Sequence, residues 1–484
     1  MLARACGASV RRQAARRPSP PAGPGPLGVA IDSRTLSPGE LFVGLRGERA
    51  DGGRFAAAAL AAGAWGVLVA PGAAPSAEVV PEGAAVLVHP EPLAALALLA
   101  AAWRAQLARG GARVVAITGS TGKTSTKDIL AALLSPHLRT AATAANLNTE
   151  IGLPLTILRA PADTECLVLE LAMRGPGQIA ELTAIAEPDV GVIVNVGEAH
   201  LELLGSVEAI AAAKAELIAG LRSGTCAVVP FAEPMLEPHL RLDVRTVTFG
   251  ADGADVWLAA REPDGRVRIG LRQRAREVEL LPSFTQAHLL TNLLAAVAAA
   301  DAIGVTPGGR VEVELSASRG QRLSLAGGVT VIDDCYNANP MSMRAALTDL
   351  AETAAARRVA VLGEMLELGP EGARLHREIG AHASACGVEL LIAVGPLGAE
   401  IASAFAGPSH QVADAGQAAE LARALVDAGD TVLVKGSRGV GLERVVAALA
   451  EPAAAEHPGG GAVSDPSRSE PEHAPSGSAG SGRR

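Results

Sequence analysis

The sequence predicts an α/β protein of three domains: a small α/β N-terminal domain, a central doubly wound, mostly parallel sheet, and a C-terminal Rossmann-like α/β domain. Three observations carry that expectation. At 484 residues the chain exceeds what one hydrophobic core normally organises. Short apolar runs recur along it, separated by Ala- and Leu-rich helical stretches, the alternation a parallel sheet requires. At 113–124 a buried-strand run passes through a glycine-rich turn straight into a helix, the connection at which such sheets bind ligands.

In residues 27–90 the runs LGVAID (27–32), ELFVGL (40–45) and WGVLVA (65–70) read as strands, with an Ala-rich helix ending at Gly63. The central domain, 91–310, opens with a helix over 91–108 and the strand RVVAIT (113–118). It continues with strands CLVLEL (166–171) and VGVIVNV (190–196), and a helix around 286–303 closes it. The C-terminal domain, 311–452, has strand runs at 329–334, 358–363, 390–395 and 431–436 with helices between them. Residues 1–26, rich in Arg and Pro and without Asp or Glu, are expected to be a disordered extension or the product of a misassigned start codon rather than a transit peptide. Residues 453–484, rich in Gly, Ser, Pro and Glu, are expected to be a disordered tail.

Composition excludes several classes. A net charge of −9 argues against a nucleic-acid binder. The longest apolar runs, such as 93–103, fall short of the roughly 20 residues a membrane span needs. Five scattered cysteines without a CxxC pair suit a reducing cytoplasm and offer neither a zinc site nor a disulfide framework. Of 42 basic residues only four are lysine (Lys123, Lys127, Lys214, Lys435), so each surviving lysine marks a place where arginine would not serve. The single tyrosine, Tyr336, is marked in the same way.

The chemistry concentrates in six places. Gly119, Ser120, Thr121, Gly122, Lys123 and Thr124 form a turn whose backbone N–H groups and following helix N-terminus make an anion cradle. There Lys123 would reach the β/γ-phosphates of ATP and the Thr124 hydroxyl a Mg²⁺. Lys127, one turn on, reads as an ordinary helix-surface charge. Glu170 ends a buried strand, where a carboxylate can hold Mg²⁺ or simply face solvent. His200 follows the strand 190–196, and Lys214 lies on an Ala-rich helix where a bare ammonium is costly. Lys214 has two open readings: pairing with Glu216 or a neighbour, or chemical modification. His288 and Asn292 share a helix face, and a buried Asn can read an adenine edge or be a satisfied core amide. Asp333 to Pro340 at a strand end reads as turn chemistry or, because it holds Tyr336, as a site. Lys435 and Arg438 lie between a strand and a helix, an arrangement suited to a carboxylate or phosphate.

Together these segments resemble the Mur ligases. The resemblance runs from about 30 to 450 and is carried by eight stretches in order, among them DSRTLSPGELFVGLRGERADG (32–52), TGSTGKTSTKD (118–128), GEAHLELLGS (197–206), VIDDCYNANPMSM (331–343), VLGEMLELG (361–369) and KGSRG (435–439). It implies that the chain joins D-alanyl-D-alanine to UDP-N-acetylmuramoyl-tripeptide, using ATP and two Mg²⁺ ions, as a cytoplasmic monomer. It implies a UDP-substrate-binding domain (27–90, with Ser33 and Arg34), a central ATP-binding domain (91–310) and a C-terminal ligase domain (311–452).

By resemblance Thr124 and Glu170 hold the first metal and His200 the second. Lys214 carries a carbamate that turns its cation into a metal-binding anion. Asn148 and Thr149 lie toward the sugar and peptide. Asn292 contacts adenine, Arg322 and Asp334 reach the nucleotide, and Lys435 and Arg438 lie near the dipeptide, with Tyr336, Asn337 and Asn339 on the substrate side. The N-terminal domain is expected to begin abruptly at its Asp-Ser-Arg strand. An amino-acid-adding Mur ligase would carry an Asp-Asn-Pro-Arg segment, which is absent here, and a folylpolyglutamate synthetase would lack the N-terminal domain. A P-loop kinase or ATPase that does not ligate, and a nucleotide-binding scaffold, are the readings from other classes.

Overall fold

In a computed structural model the described residues are 2–10, 25–47 and 50–451. They form three sheets in chain order. The expected tail 453–484 lies outside the described residues, as does 11–24.

In the first sheet, strands Val29–Ala30, Leu41–Val43, Gly66–Val69 and Ala85–Val88 pair in parallel. Ser9–Val10 adds antiparallel to Ala85–Val88. For residues 2–10 this departs from the expectation of a disordered 1–26 and of an abrupt start. The helix Leu2–Ala5 precedes that strand, and Cys6 is fully buried in the cluster with Leu41, Leu68 and Leu96. Burial therefore offsets the chain entropy of ordering this short segment.

The central sheet has ten strands and one point where its winding reverses. Arg113–Thr118, buried from its second residue on, lies between Cys166–Glu170 and Val190–Ile193, all parallel. The chain reaches Cys166–Glu170 on one side of it, then crosses to Val190–Ile193 on the other. The carboxyl ends of these three strands consequently open one crevice, where doubly wound sheets bind ligands. The far half is not parallel: Val256–Arg261, Val267–Leu271 and Arg276–Pro282 form an antiparallel meander. Gly309–Val311 closes that edge in parallel. The helix Ala287–Ala302 is buried along most of its length and lies against the helix Lys123–Leu134.

In the C-terminal sheet, Thr330–Asp334, Thr431–Lys435 and Arg358–Gly363 are parallel neighbours, with Leu390–Val394 and Ser409–Val412 beyond and Gln321–Ser324 antiparallel at the edge. One continuous apolar cluster runs from Ala116 and Leu169 of the central sheet through Leu201 and Met343 to Leu362 and Leu433 of the C-terminal sheet, so the two sheets share packing. No helix among the described residues is long and apolar enough to cross a membrane.

His376 is fully buried in this region. The Met365 N–H donates to its Nε2 at 2.9 Å, so Nδ1 carries the proton and donates to the Gly372 carbonyl at 2.6 Å. Burial lowers its pKa below the usual histidine value, against the pull of the Gly372 carbonyl, so the fold holds it neutral. The unfolded chain binds that proton more readily. Stability is therefore complete above about pH 6.5 and declines as the pH falls below it. His200 and His288, lowered by burial as well, contribute with the same sign. For a histidine held neutral, each pH unit below its unfolded pKa costs about 1.4 kcal/mol. Urea titrations between pH 7.5 and 5.5 should show that decline, with a shallower slope in His376→Gln.

Candidate active site

The turn Gly119–Lys123 leaves the strand Arg113–Thr118 and opens the helix Lys123–Leu134. Gly122 sits at that helix start with φ of 72°, a left-handed conformation that glycine adopts without strain. A Cβ there would also lie 2.6 Å from Asn292 Oδ1, so the turn and the buried Asn292 are fitted to each other. The turn is held from outside. Asn195 Oδ1 accepts from the Thr121 N–H at 2.9 Å, and the Ser120 hydroxyl donates to the Gly197 carbonyl at 2.9 Å. Lys123 Nζ donates to the Gly119 carbonyl at 2.8 Å. Burial lowers the Lys123 pKa, Glu170 opposes that, and Arg319 adds to it.

Glu170 is 1% exposed at the end of its strand. Asn148 Nδ2 donates to its Oε1 at 2.7 Å, while its Oε2 is buried with no hydrogen-bond partner among the described residues. A buried carboxylate oxygen left open is costly unless something binds it. A hard cation meets that need, and Mg²⁺ sites in phosphoryl-transfer proteins use one or two carboxylates plus phosphate oxygens. Among the described residues no group of three His, Cys, Asp or Glu forms a metal cluster. Glu170, with Thr124 beside Lys123, is thus the protein's fit to such an ion.

Lys214 is 2% exposed and makes no hydrogen bond or ion pair among the described residues. Burial first, and then the charge of Lys123, push its pKa well below the ordinary lysine value. Glu216 is not its partner: that carboxylate accepts from the Gly177 and Ala180 N–H groups at 2.6 and 3.0 Å. His200 stands close enough to feel both Lys123 and Lys214, and burial lowers its pKa. Lys127 departs from the expected surface charge. It is 4% exposed, donates to the Thr143 carbonyl at 2.9 Å and pairs with Asp128 at 2.5 Å.

From the C-terminal side, Asp334 and Lys435 are register partners at the ends of adjacent parallel strands, which explains their 2.6 Å ion pair. Lys435 Nζ, 2% exposed, also donates to the Asn337 carbonyl at 3.0 Å. Tyr336 is flanked by two guanidiniums, Arg319 at 4.1 Å and Arg438 at 5.1 Å from the ring centre. Asn339 caps the helix Pro340–Thr353 in a capping box with Ser342.

All of this opens on one cleft of about 1480 Å³ between the central and C-terminal sheets. Ser120, Thr121, Gly122, Lys123, Thr124, Asn148, Thr149, Glu170, His200, Asn292, Asp334, Tyr336, Asn337, Asn339, Lys435 and Arg438 all line it. Gly119 bends the turn from behind and Lys214 lies buried next to it.

Three expected site residues are not brought there. Ser33 and Arg34 lie on the N-terminal domain, where Arg34 is bonded to Asp32 and holds that carboxyl down to about 2. Arg322 donates instead to Asp349 Oδ2 at 2.7 Å and to the Thr353 hydroxyl at 2.8 Å. Arg319, three residues earlier, is the arginine of that segment that lines the cleft. Asp349 is 5% exposed, and burial raises its pKa against the lowering by Arg322. Arg322→Ala should therefore lower unfolding free energy by about 1–3 kcal/mol, read from the urea midpoint, and leave the KM for ATP within about twofold.

Sequence reasoning missed Arg319, Asn195 and Glu367, all of which line the cleft. Asn195 was within reach as a polar residue in the run VGVIVNV, and Glu367 lies inside the 361–369 loop already marked by resemblance. Arg319 carried no local signal.

Family models match three successive segments: one described as the Mur ligase family catalytic domain over 27–104, the Mur ligase middle domain over 117–300, and the Mur ligase glutamate ligase domain over 318–438. The chain is 40% identical over 467 residues to UDP-N-acetylmuramoyl-tripeptide–D-alanyl-D-alanine ligase of Mycobacterium tuberculosis, covering 87% of this chain and 91% of that protein. The crystal structure of MurF from Acinetobacter baumannii superposes with a TM-score of 0.80 at 28% identity, over 93% of this chain and 98% of that one. MurF ligase from Thermotoga maritima in complex with ADP superposes at 0.74 and 30% identity, over 87% and 96%.

Proposed function

The chain belongs to the Mur ligase family, and we propose that it is the ATP-dependent ligase that joins D-alanyl-D-alanine to UDP-N-acetylmuramoyl-tripeptide, giving the pentapeptide precursor of peptidoglycan. The observation that carries this reading is the cleft itself. A glycine turn with a partly buried lysine on one wall faces an Asp–Lys pair and an arginine-flanked tyrosine on the other.

The tripeptide's terminal carboxylate attacks the γ-phosphorus of ATP, forming an acyl phosphate and ADP. The dipeptide amine then attacks the acyl carbon, loses a proton and expels phosphate. The glycine turn cradles the phosphates through its N–H groups, Asn195 holds that turn in shape, and Lys123 neutralises charge as it moves to the leaving oxygen. Bound Mg²⁺, two ions in this reading, would supply further charge neutralisation during the transfer. Thr124, Glu170, His200 and a carbamate on Lys214 are the groups that would hold it. The open Glu170 Oε2 and the unpaired Lys214 amine support that assignment.

Asn292, buried against Gly122, faces the adenine end. From the far wall Asp334 and Lys435, with Tyr336, Asn337, Asn339 and Arg438, receive the dipeptide. Asn148 and Thr149 lie toward the tripeptide. Burial of the acyl phosphate between two sheets excludes water that would hydrolyse it. Ser33 and Arg34 serve the uridine end, and the N-terminal, central and C-terminal divisions at 27–90, 91–310 and 311–452 mark substrate binding, ATP binding and ligation. In this reading the enzyme acts as a monomer. Five free cysteines support a cytoplasmic location.

Purified protein given ATP, UDP-N-acetylmuramoyl-tripeptide and D-alanyl-D-alanine should release phosphate only when both substrates are present, with the pentapeptide mass appearing in step. Phosphate release that ignores the dipeptide would identify a kinase or ATPase instead.

A further inference from the structure

The loop 364–369, between the strand Arg358–Gly363 and the helix Gly372–Ala385, is tied down at almost every residue. Glu364 Oε1 accepts from the Leu397 N–H at 2.8 Å, the Met365 N–H donates to His376 Nε2, and the Leu366 N–H donates to the Ser437 hydroxyl at 2.9 Å. The polar side chain these anchors leave projecting into the cleft is Glu367, next to the exposed Leu366. Its Oε2 meets His200 Nδ1 at 2.5 Å, and its carbonyl accepts from the Glu202 N–H at 3.0 Å. His200 and Glu367 both have φ of 62°. Non-glycine residues enter that left-handed region at a cost, and such strain clusters where surrounding structure enforces a functional geometry. An exposed ion pair alone would contribute little. Two strained residues joined by one side-chain bond, with a second bond from the Glu202 N–H to the Glu367 carbonyl beside it, form a built contact across the seam between sheets.

We propose that Glu367 is the positioning residue of His200: its carboxylate, reaching from the C-terminal sheet, fixes the imidazole as the Nδ1–H tautomer and leaves Nε2 as the nitrogen offered to the phosphate-binding end of the cleft. An ionised carboxylate only accepts, so Nδ1 must donate and Nε2 keeps its lone pair. Histidines that bind metals are commonly oriented by such a carboxylate on the other nitrogen. Here the orienting group and the histidine belong to different sheets, so the ring is set only while those sheets are docked. The catalytic part of this inference rests on the ligase reading; the tautomer does not.

The test uses full-length protein with ¹⁵N-labelled histidine, without nucleotide, and His200→Gln to assign the ring signals. Wild type and Glu367→Gln, whose amide oxygen can still accept, should both show the proton on Nδ1. Glu367→Ala should shift it toward Nε2. In ligation assays Glu367→Ala should lose about 10- to 100-fold in kcat and need correspondingly more Mg²⁺, while Glu367→Gln recovers to within about threefold. A bare Nδ1 in the wild type, or an Nδ1–H retained in Glu367→Ala, overturns the proposal. If Glu367→Ala does not fold, the wild-type and Glu367→Gln spectra decide alone. If no ligation is found with any variant, the ring signals still decide, and the failure belongs to the ligase reading.

Discussion

Lys123→Ala is expected to lower phosphate release and amide formation by about 10³-fold or more, equivalent to about 4 kcal/mol of transition-state stabilisation. The magnitude follows from where the ammonium sits. It is half-buried in the glycine turn, donates to the Gly119 carbonyl and lies within the charge influence of Glu170 and Arg319. Charge that moves onto the leaving phosphate in that low-dielectric corner meets a fixed cation, whereas water would have to reorganise. Folding should be nearly untouched, because the variant removes a cation whose charged form burial already disfavours. Lys123→Arg should recover little, since a planar fork does not fit a turn shaped around a point charge. Near-normal turnover with either variant, alongside an unchanged melting curve, would remove the turn from the mechanism.

Lys214→Met is expected to separate stability from activity. The wild-type amine is buried without a partner among the described residues and repelled by Lys123, so the fold disfavours its charged form relative to the unfolded chain. A depressed lysine pKa costs stability at every pH below the unfolded value and more as the pH falls. Methionine should therefore keep or raise the unfolding free energy, by up to about 1–3 kcal/mol. Activity should fall by about 10²-fold or more.

A neutral amine reacts with CO₂ to give a carbamate and a proton. On Lys214 that product would be an anion, which would turn repulsion from Lys123 into attraction and offer oxygens to Mg²⁺. Wild-type activity should accordingly fall in CO₂-free buffer and return with bicarbonate, while the residual activity of Lys214→Met should not respond. A fully active Lys214→Met would refute the carbamate.

Much of the site was legible because its signals are local. A strand running through a glycine turn into a helix states its anion-binding chemistry within a dozen residues, and Lys123 and Thr124 lie where that pattern puts them. Lysine scarcity pointed at Lys123, Lys214 and Lys435, which the fold places in or beside the cleft. Scarcity marked Lys127 as well, but it was read as a helix-surface charge, because its buried partner, the Thr143 carbonyl, comes from a different strand connection. Arg322 and Arg319 show the limit of spacing. Both stand in one short segment, and Asp349 and Thr353, 27 and 31 residues away in sequence, draw Arg322 aside.

The fold shows the same division. Parallel strands at 113–118, 166–170 and 190–193 are continuous apolar runs that any reading finds. The antiparallel meander was missed although its alternation was available: Arg276–Pro282 buries Val278, Leu280 and Pro282 and exposes Glu277 and Glu279. The strand Ser9–Val10 gave too short a signal to compete with the Arg- and Pro-rich composition around it.

The most direct measurement of the central claim follows oxygen. Tripeptide substrate with both oxygens of its terminal carboxylate replaced by ¹⁸O is converted with ATP and D-alanyl-D-alanine, and the released phosphate is weighed by mass spectrometry. Activation as an acyl phosphate predicts one ¹⁸O in each phosphate and one retained in the new amide carbonyl. Phosphate free of ¹⁸O, with amide bonds still forming, would contradict it.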